Sequence, residues 1–139
     1  MKYINTYLIF DGNCRQAMEF YKRCLGGKLH MSTYGESPET SKLPPKAKDW
    51  IIHARLQIKS HVLMASDTQP GIPINQGNNF FISINCENVK ETEKLFKALG
   101  EKGKIEMPLQ ETFFAIRFGM LTDQFGIKWM FNLEKPMEK

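Results

Sequence analysis

Hydrophobic positions along this chain alternate between two periods, and the switches mark its elements. YINTYLIF (3–10) is dense in aromatic and aliphatic residues and stops at Asp11-Gly12, the pattern of a strand entering a turn. From there Cys14, Ala17, Met18, Tyr21, Cys24 and Leu25 recur at helical spacing, with Asn13 placed to cap and Gly26-Gly27 to terminate. KLHMSTYG (28–35) reads as a second strand, and the polar, proline-containing ESPETSKLPPKAKD (36–49) predicts a mobile loop. WIIHARLQI (50–58) and HVLMASD (61–67) are strands separated only by Lys59-Ser60, which leaves room for nothing but a hairpin turn.

After a linker at 68–77 the same order returns. NFFISINC predicts a strand, Asn88 caps a helix that turns Val89, Thr92, Leu95, Phe96 and Leu99 inward, and KIEMPLQE, FFAIRFGML and GIKWMFNL predict three more strands. The repetition extends to residues: Phe20-Tyr21-Lys22 lies over Leu95-Phe96-Lys97 at an offset of 75, which also aligns Asn13 with Asn88 and Cys14 with Val89. Ala54-Arg55-Leu56 is matched to Ile116-Arg117-Phe118, and Met64 to Met130. Two βαβββ modules, 3–67 and 78–133, account for this, forming one α+β domain whose curved mixed sheet encloses a cleft. A ferredoxin-like βαββαβ arrangement has too few strands to compete.

Size and charge narrow the function. A chain of 139 residues with 42% hydrophobic content buries one core, and its 24% charged residues are dispersed, so a net charge of +4 gives no nucleic-acid footprint. No apolar window is long enough for a membrane span and the N-terminus turns polar too soon for a signal peptide, so a cytoplasmic location is expected. Cys14, Cys24 and Cys86 are odd in number and lack CxxC spacing, which argues for reduced, packed thiols. At the first turn of a helix Cys14 could in principle have its thiol activated, but Val89 at the matching place favours plain packing.

YLIFDGNCRQAMEFYKRCLGG, MSTYGESP, HARLQI, VLMASD and MPLQETFFAIRFGMLTDQFGIKWMFN together resemble the vicinal oxygen chelate superfamily of glyoxalases, bleomycin resistance proteins and extradiol dioxygenases, in its PhnB-like branch. The resemblance implies a homodimer and a divalent metal held by His, Glu or Gln on the first and last strand of each module. The corresponding positions, counted from Asn13, Asn88 and Gly126 and carried across the repeat, are Thr6, Met64, Phe81 and Met130. None is a usual ligand for Zn, Mn, Fe or Ni, so no metal and no cofactor are expected. The methyltransferase label often attached to the branch finds no support, because FDGNC supplies a single glycine and the element order gives no doubly wound sheet.

Strand alternation predicts which side chains line the cleft. His53, Arg55 and Gln57 alternate against Ile52, Ala54, Leu56 and Ile58, and the same rule adds Ser83, Asn85, Arg117 and Asn132. Such a set suits an anionic or carbonyl-bearing small molecule, because guanidinium donates in a planar fork. The competing reading pairs Arg55 and Arg117 with Glu106, Glu111 or Asp67 to brace the sheet. His53 is either a general base or an ordinary hydrogen-bonded strand residue, and Asp67 either a cleft carboxylate or the turn residue opening the linker. Trp129, Phe113 and Phe114 offer flat surfaces but fit core or dimer interface as well, and Met18, Met64, Met120 and Met130 offer a pliable lining. Two functions follow: a metal-independent small-molecule binding protein, or an enzyme that uses a metal at other positions or His53 with the two arginines.

Overall fold

The computed structural model describes residues 1–38 and 43–136. Residues 39–42 of the loop expected to be mobile lie outside the described residues. The chain forms two compact units, Met1–Asn75 and Gln76–Lys139, with the division inside the expected linker. Among the described residues no helix is long and apolar enough to cross a membrane.

In the first unit β1 (Thr6–Phe10), α1 (Cys14–Leu25), β2 (Lys28–Thr33), β3 (Ile51–Ile58) and β4 (His61–Asp67) build a sheet in the order β1-β4-β3-β2. β1 runs parallel to β4 and the other pairs are antiparallel. One helix stripe, Cys14, Ala17, Met18 and Tyr21, is fully buried and packs on β2, β3 and β4. Each large side chain removed from water in this way contributes about 1.5–3 kcal/mol. β2 stops two residues earlier than the pattern predicts, because Tyr34–Glu36 form a 3-10 turn. Opposite it Thr33 pairs with Ile51 while Ser32 pairs with His53, a bulge at Ile52. The bulge brings Ile51 as well as Ala54 and Leu56 into the core.

The start of α1 departs from expectation. The Asn13 side chain makes no capping hydrogen bond. Its place is taken by Asp67, 2% exposed, whose Oδ1 accepts from the backbone N–H of Gly12 at 2.9 Å and of Cys14 at 3.0 Å, while Oδ2 accepts from Ile51 N–H at 2.8 Å. One carboxylate therefore ties the end of β4 to the helix start and to β3. Gly12 adopts φ +94°, and a Cβ there would lie 2.9 Å from the Trp50 ring, so the turn requires glycine.

The second unit repeats the order with β5 (Ile82–Asn85), α2 (Val89–Leu99), β6 (Lys104–Gln110), β7 (Ala115–Thr122) and β8 (Lys128–Glu134), arranged β5-β8-β7-β6 with β5 parallel to β8. Here the expected cap holds: Asn88 Oδ1 accepts from Glu91 N–H at 2.8 Å, and Glu91 reaches back to Glu87 N–H at 2.9 Å. Trp129, Phe131 and Leu121 are buried on the helix side, and Phe96 meets Phe131 edge-on at 5.2 Å. Gly119 makes this approach feasible, since a Cβ would stand 2.9 Å from both Phe96 and Leu109. β6 is an edge strand with two irregularities in its pairing, which suits Pro108, a residue with no N–H to donate.

The turn between β7 and β8 is organised by Asp123, 4% exposed. Its Oδ1 accepts from Phe125 and Ile127 N–H, and its Oδ2 accepts from Trp129 Nε1–H at 2.8 Å.

Candidate functional site

Each sheet has one face covered by its helix and one that is not, and the pairing register lays out the uncovered face row by row. In the first unit Tyr7 lies beside Met64, Met64 beside Arg55, and Arg55 beside His30, so the four strands present Tyr, Met, Arg and His in one line. His53 follows on the next line beside Ser32. The Tyr7 hydroxyl is 3.1 Å from His53 Nδ1 and the two rings stack at 5.7 Å. Arg55 Nη2–H donates to Gln57 Oε1 at 2.9 Å, and Gln57 in turn donates to Lys59 C=O.

In the second unit the equivalent line reads Ser83, Met130, Met120, Met107. Beside it stand Asn85, Asn132, Phe118 and Gln110. Asn132 donates to Asn85 Oδ1 over a long 3.5 Å, and its own Oδ1 is buried with no partner. Phe118 continues through Phe114 to Phe113 by successive edge-on contacts of 5.2 Å, with Phe113 93% exposed.

These lines place the expected residues. His53, Arg55 and Gln57 share one uncovered face; Ser83, Asn85 and Asn132 share the other. Arg117 does not join them. It pairs with Leu133 after an irregularity at Ile116 and falls in phase with the helix-facing Gly119 and Leu121, while its Nη1–H donates to the Ile116 carbonyl. The side chain in the place of Arg55 is Met120, because both lie opposite the matching methionines, Met64 and Met130. The sequence match of Ala54-Arg55-Leu56 to Ile116-Arg117-Phe118 is three residues out of register. Neither arginine has a carboxylate partner among the described residues, whose ion pairs are Lys104–Glu106 and Lys135–Glu111.

The positions where the family resemblance implies metal ligands also move by register. Beside Met64 stands Tyr7, with Thr6 in phase with the buried Phe10, and beside Met130 stands Ser83 rather than Phe81. Phe81 instead carries the Lys128 ammonium 5.7 Å above its ring. In neither unit does the pair, a phenol with a thioether or a hydroxyl with a thioether, fit a hard or borderline divalent ion that prefers imidazole and carboxylate. No group of three or more His, Cys, Asp or Glu among the described residues is arranged to hold one.

Titration behaviour separates structural groups from available ones. Burial, reinforced by the Asp67 charge, pushes the Cys14 thiol up to about 12, so it is a packed thiol and not a nucleophile. Burial, then Asp67 and Tyr7, also raises Tyr34, whose hydroxyl donates to the Asp67 carbonyl at 3.0 Å. Burial raises Cys86 against a hydrogen bond with Thr92.

The Glyoxalase/Bleomycin resistance protein/Dioxygenase superfamily model matches residues 3–131. The chain belongs to that superfamily. It is 35% identical to protein YjdN of Escherichia coli strain K12, over 95% of both chains. The crystal structure of PA1353 from Pseudomonas aeruginosa is similar at a TM-score of 0.88 and 47% identity, covering 98% of this chain and 100% of that one. A Bacillus cereus PhnB protein, whose name also carries a 3-demethylubiquinone-9 3-methyltransferase activity, is similar at a TM-score of 0.76 and 25% identity, covering 95% and 99%. The superfamily assignment and the PhnB-like relative agree with the sequence resemblance. Each sheet here has only one parallel pair, so neither unit is the doubly wound sheet that receives a nucleotide cofactor at a glycine-rich turn.

Tyr7, His30, Ser32 and Phe118 escape the sequence reading of the site. Lys28, His30 and Ser32 alternate against Leu29 and Met31, a visible signal; Tyr7 and Phe118 carry none without the register.

Proposed function

We propose that this protein is a cytoplasmic small-molecule binding protein of the glyoxalase and bleomycin resistance kind, which holds its ligand on uncovered sheet faces by hydrogen bonds and apolar contact instead of through the superfamily's usual metal. The observation that carries this is Met64 and Met130 at matching places, with Tyr7 and Ser83 beside them on the neighbouring parallel strands where His, Glu or Gln would hold a metal. Ligand-binding side chains are His53 and Arg55 in the first unit and Ser83, Asn85 and Asn132 in the second, with Phe118 supplying an aromatic edge. Homodimer formation, implied by the resemblance, belongs to the same reading, and light scattering on the full chain measures it.

A second reading, an acid–base enzyme, rests on the hydrogen bond between Tyr7 and His53, because a base held by a neighbour is the usual arrangement for proton transfer. Thermal denaturation against metals, phosphonates, quinones and aromatic compounds separates the two, since anything bound only by the folded state raises apparent stability. Stabilisation by an organic compound that is recovered unchanged supports binding. Stoichiometric Ni, Zn, Mn or Fe in protein purified without chelator, or conversion of the compound, overturns it.

A further inference from the structure

Outward positions of β1 to β4 carry Lys28, His30, His53 and Arg55 and no Asp or Glu. Arg55 sits between His30 and Met64 in its row, and His53 is two residues away on the same strand and face. Cross-strand neighbours have Cβ atoms roughly 5 Å apart, so these cationic and donor groups share one small patch. The Arg55 fork is steadied by Gln57 at 2.9 Å, yet no carboxylate among the described residues neutralises it. Concentrated donors with no carboxylate beside them suit an anionic acceptor from outside.

We propose that the first unit binds the oxyanion group of a small molecule, a carboxylate, phosphate or phosphonate, between the Arg55 guanidinium and the His53 imidazole. Tyr7 is the positioning residue. With its phenol donating to His53 Nδ1, 3.1 Å away, the proton of the neutral imidazole sits on Nε2, and an anion selects this sense of the bond because it leaves an N–H to donate. Arg55 supplies charge and a planar pair of donors, Lys28 adds positive potential along β2, and His30 adds a further ring nitrogen. This inference rests on the binding reading and names the ligand class for one of its faces.

The test titrates the full chain with methylphosphonate, inorganic phosphate and acetate at constant ionic strength, with chloride as control, followed by amide and histidine nitrogen NMR. Saturable shifts along β1 and β3 are expected, absent with chloride; tighter phosphonate and phosphate identify a tetrahedral anion, and tighter acetate a planar one. Arg55→Met weakens binding about tenfold or more, and so does Arg55→Lys, which keeps the charge and loses the fork. Tyr7→Phe weakens binding less and lowers the share of neutral His53 that carries its proton on Nε2, a signature that a packing role would not produce. Chloride-like responses, or wild-type affinity in both Arg55 variants, overturn the proposal. If the anions fail while an uncharged aromatic compound stabilises the protein, the oxyanion is wrong and the binding reading stands; if no organic ligand binds, both fall.

Discussion

The two units share element order, strand order and a methionine in the second place of the uncovered line, but they differ in what surrounds that methionine. The first offers Tyr7, Arg55 and His30; the second offers Ser83, Met120 and Met107. One face is cationic and rich in donors. The other is sulfur, amide and aromatic carbon. On the helix side Ala54 and Leu56 are answered by Gly119 and Leu121, but the buried Leu63, Ala65 and Asp67 are answered by Trp129, Phe131 and Leu133. The lesson is that both halves of each strand can change, with different consequences: inward exchanges must still fill the buried space together, while outward exchanges alter the chemistry the face presents without disturbing the sheet.

Both units also bury a carboxylate, at different places. Asp67 closes the last strand of the first unit, and Asp123 closes the β7–β8 turn of the second. Asp67→Ala leaves three backbone N–H groups without their acceptor, and the expected loss is about 3–5 kcal/mol in urea denaturation. Asp123→Ala, which also frees Trp129 Nε1–H, falls near the lower end of that range; a cost under about 1 kcal/mol for either would show that water replaces the carboxylate.

Gly119→Ala sharpens the inward comparison. A methyl group there meets Phe96 and Leu109 at 2.9 Å, so overpacking costs about 1–3 kcal/mol by the same measurement. The converse Ala54→Gly removes a methyl from a fully buried position and costs about 1 kcal/mol. Should Gly119→Ala prove neutral, α2 sits farther from β7 than the structure shows.

The two helix starts give a smaller contrast. Asn88→Ala deletes a side-chain cap and is expected to cost about 1 kcal/mol, whereas Asn13→Ala, with Asp67 serving that terminus, changes stability by no more than a few tenths. Equal losses at the two positions would contradict the division of labour between Asn13 and Asp67.

Cys14 provides a difference confined to alkaline pH. Its folded pKa is raised to about 12 from about 9 for a free thiol, so the folded chain retains a proton that the unfolded chain releases. The contribution is therefore complete below pH 9 and is lost as pH rises from 9 towards 12. Cys14→Ala should flatten that part of the stability profile relative to wild type and leave its shape near neutral pH unchanged. In native protein, iodoacetamide should react with the partly exposed Cys24 ahead of buried Cys14.

The sequence by itself determined eight strands, two helices and the doubled βαβββ order, because the 2.0 and 3.6 residue periods are local properties of covalent geometry. It also determined that His53, Arg55, Ser83, Asn85 and Asn132 point away from the core, as alternation within a short regular strand is local too. What stands beside what was decided by the tertiary structure. Pairing register is set strand against strand, and a one-residue difference in it moves a side chain to the other face. That is why Arg117 left the face, Tyr7 replaced Thr6 beside Met64, and Asp67, which locally reads as a turn residue, became the cap of a helix more than fifty residues earlier in the chain. Such partnerships depend on how far each strand slides before its hydrogen bonds close, a quantity set by the whole sheet.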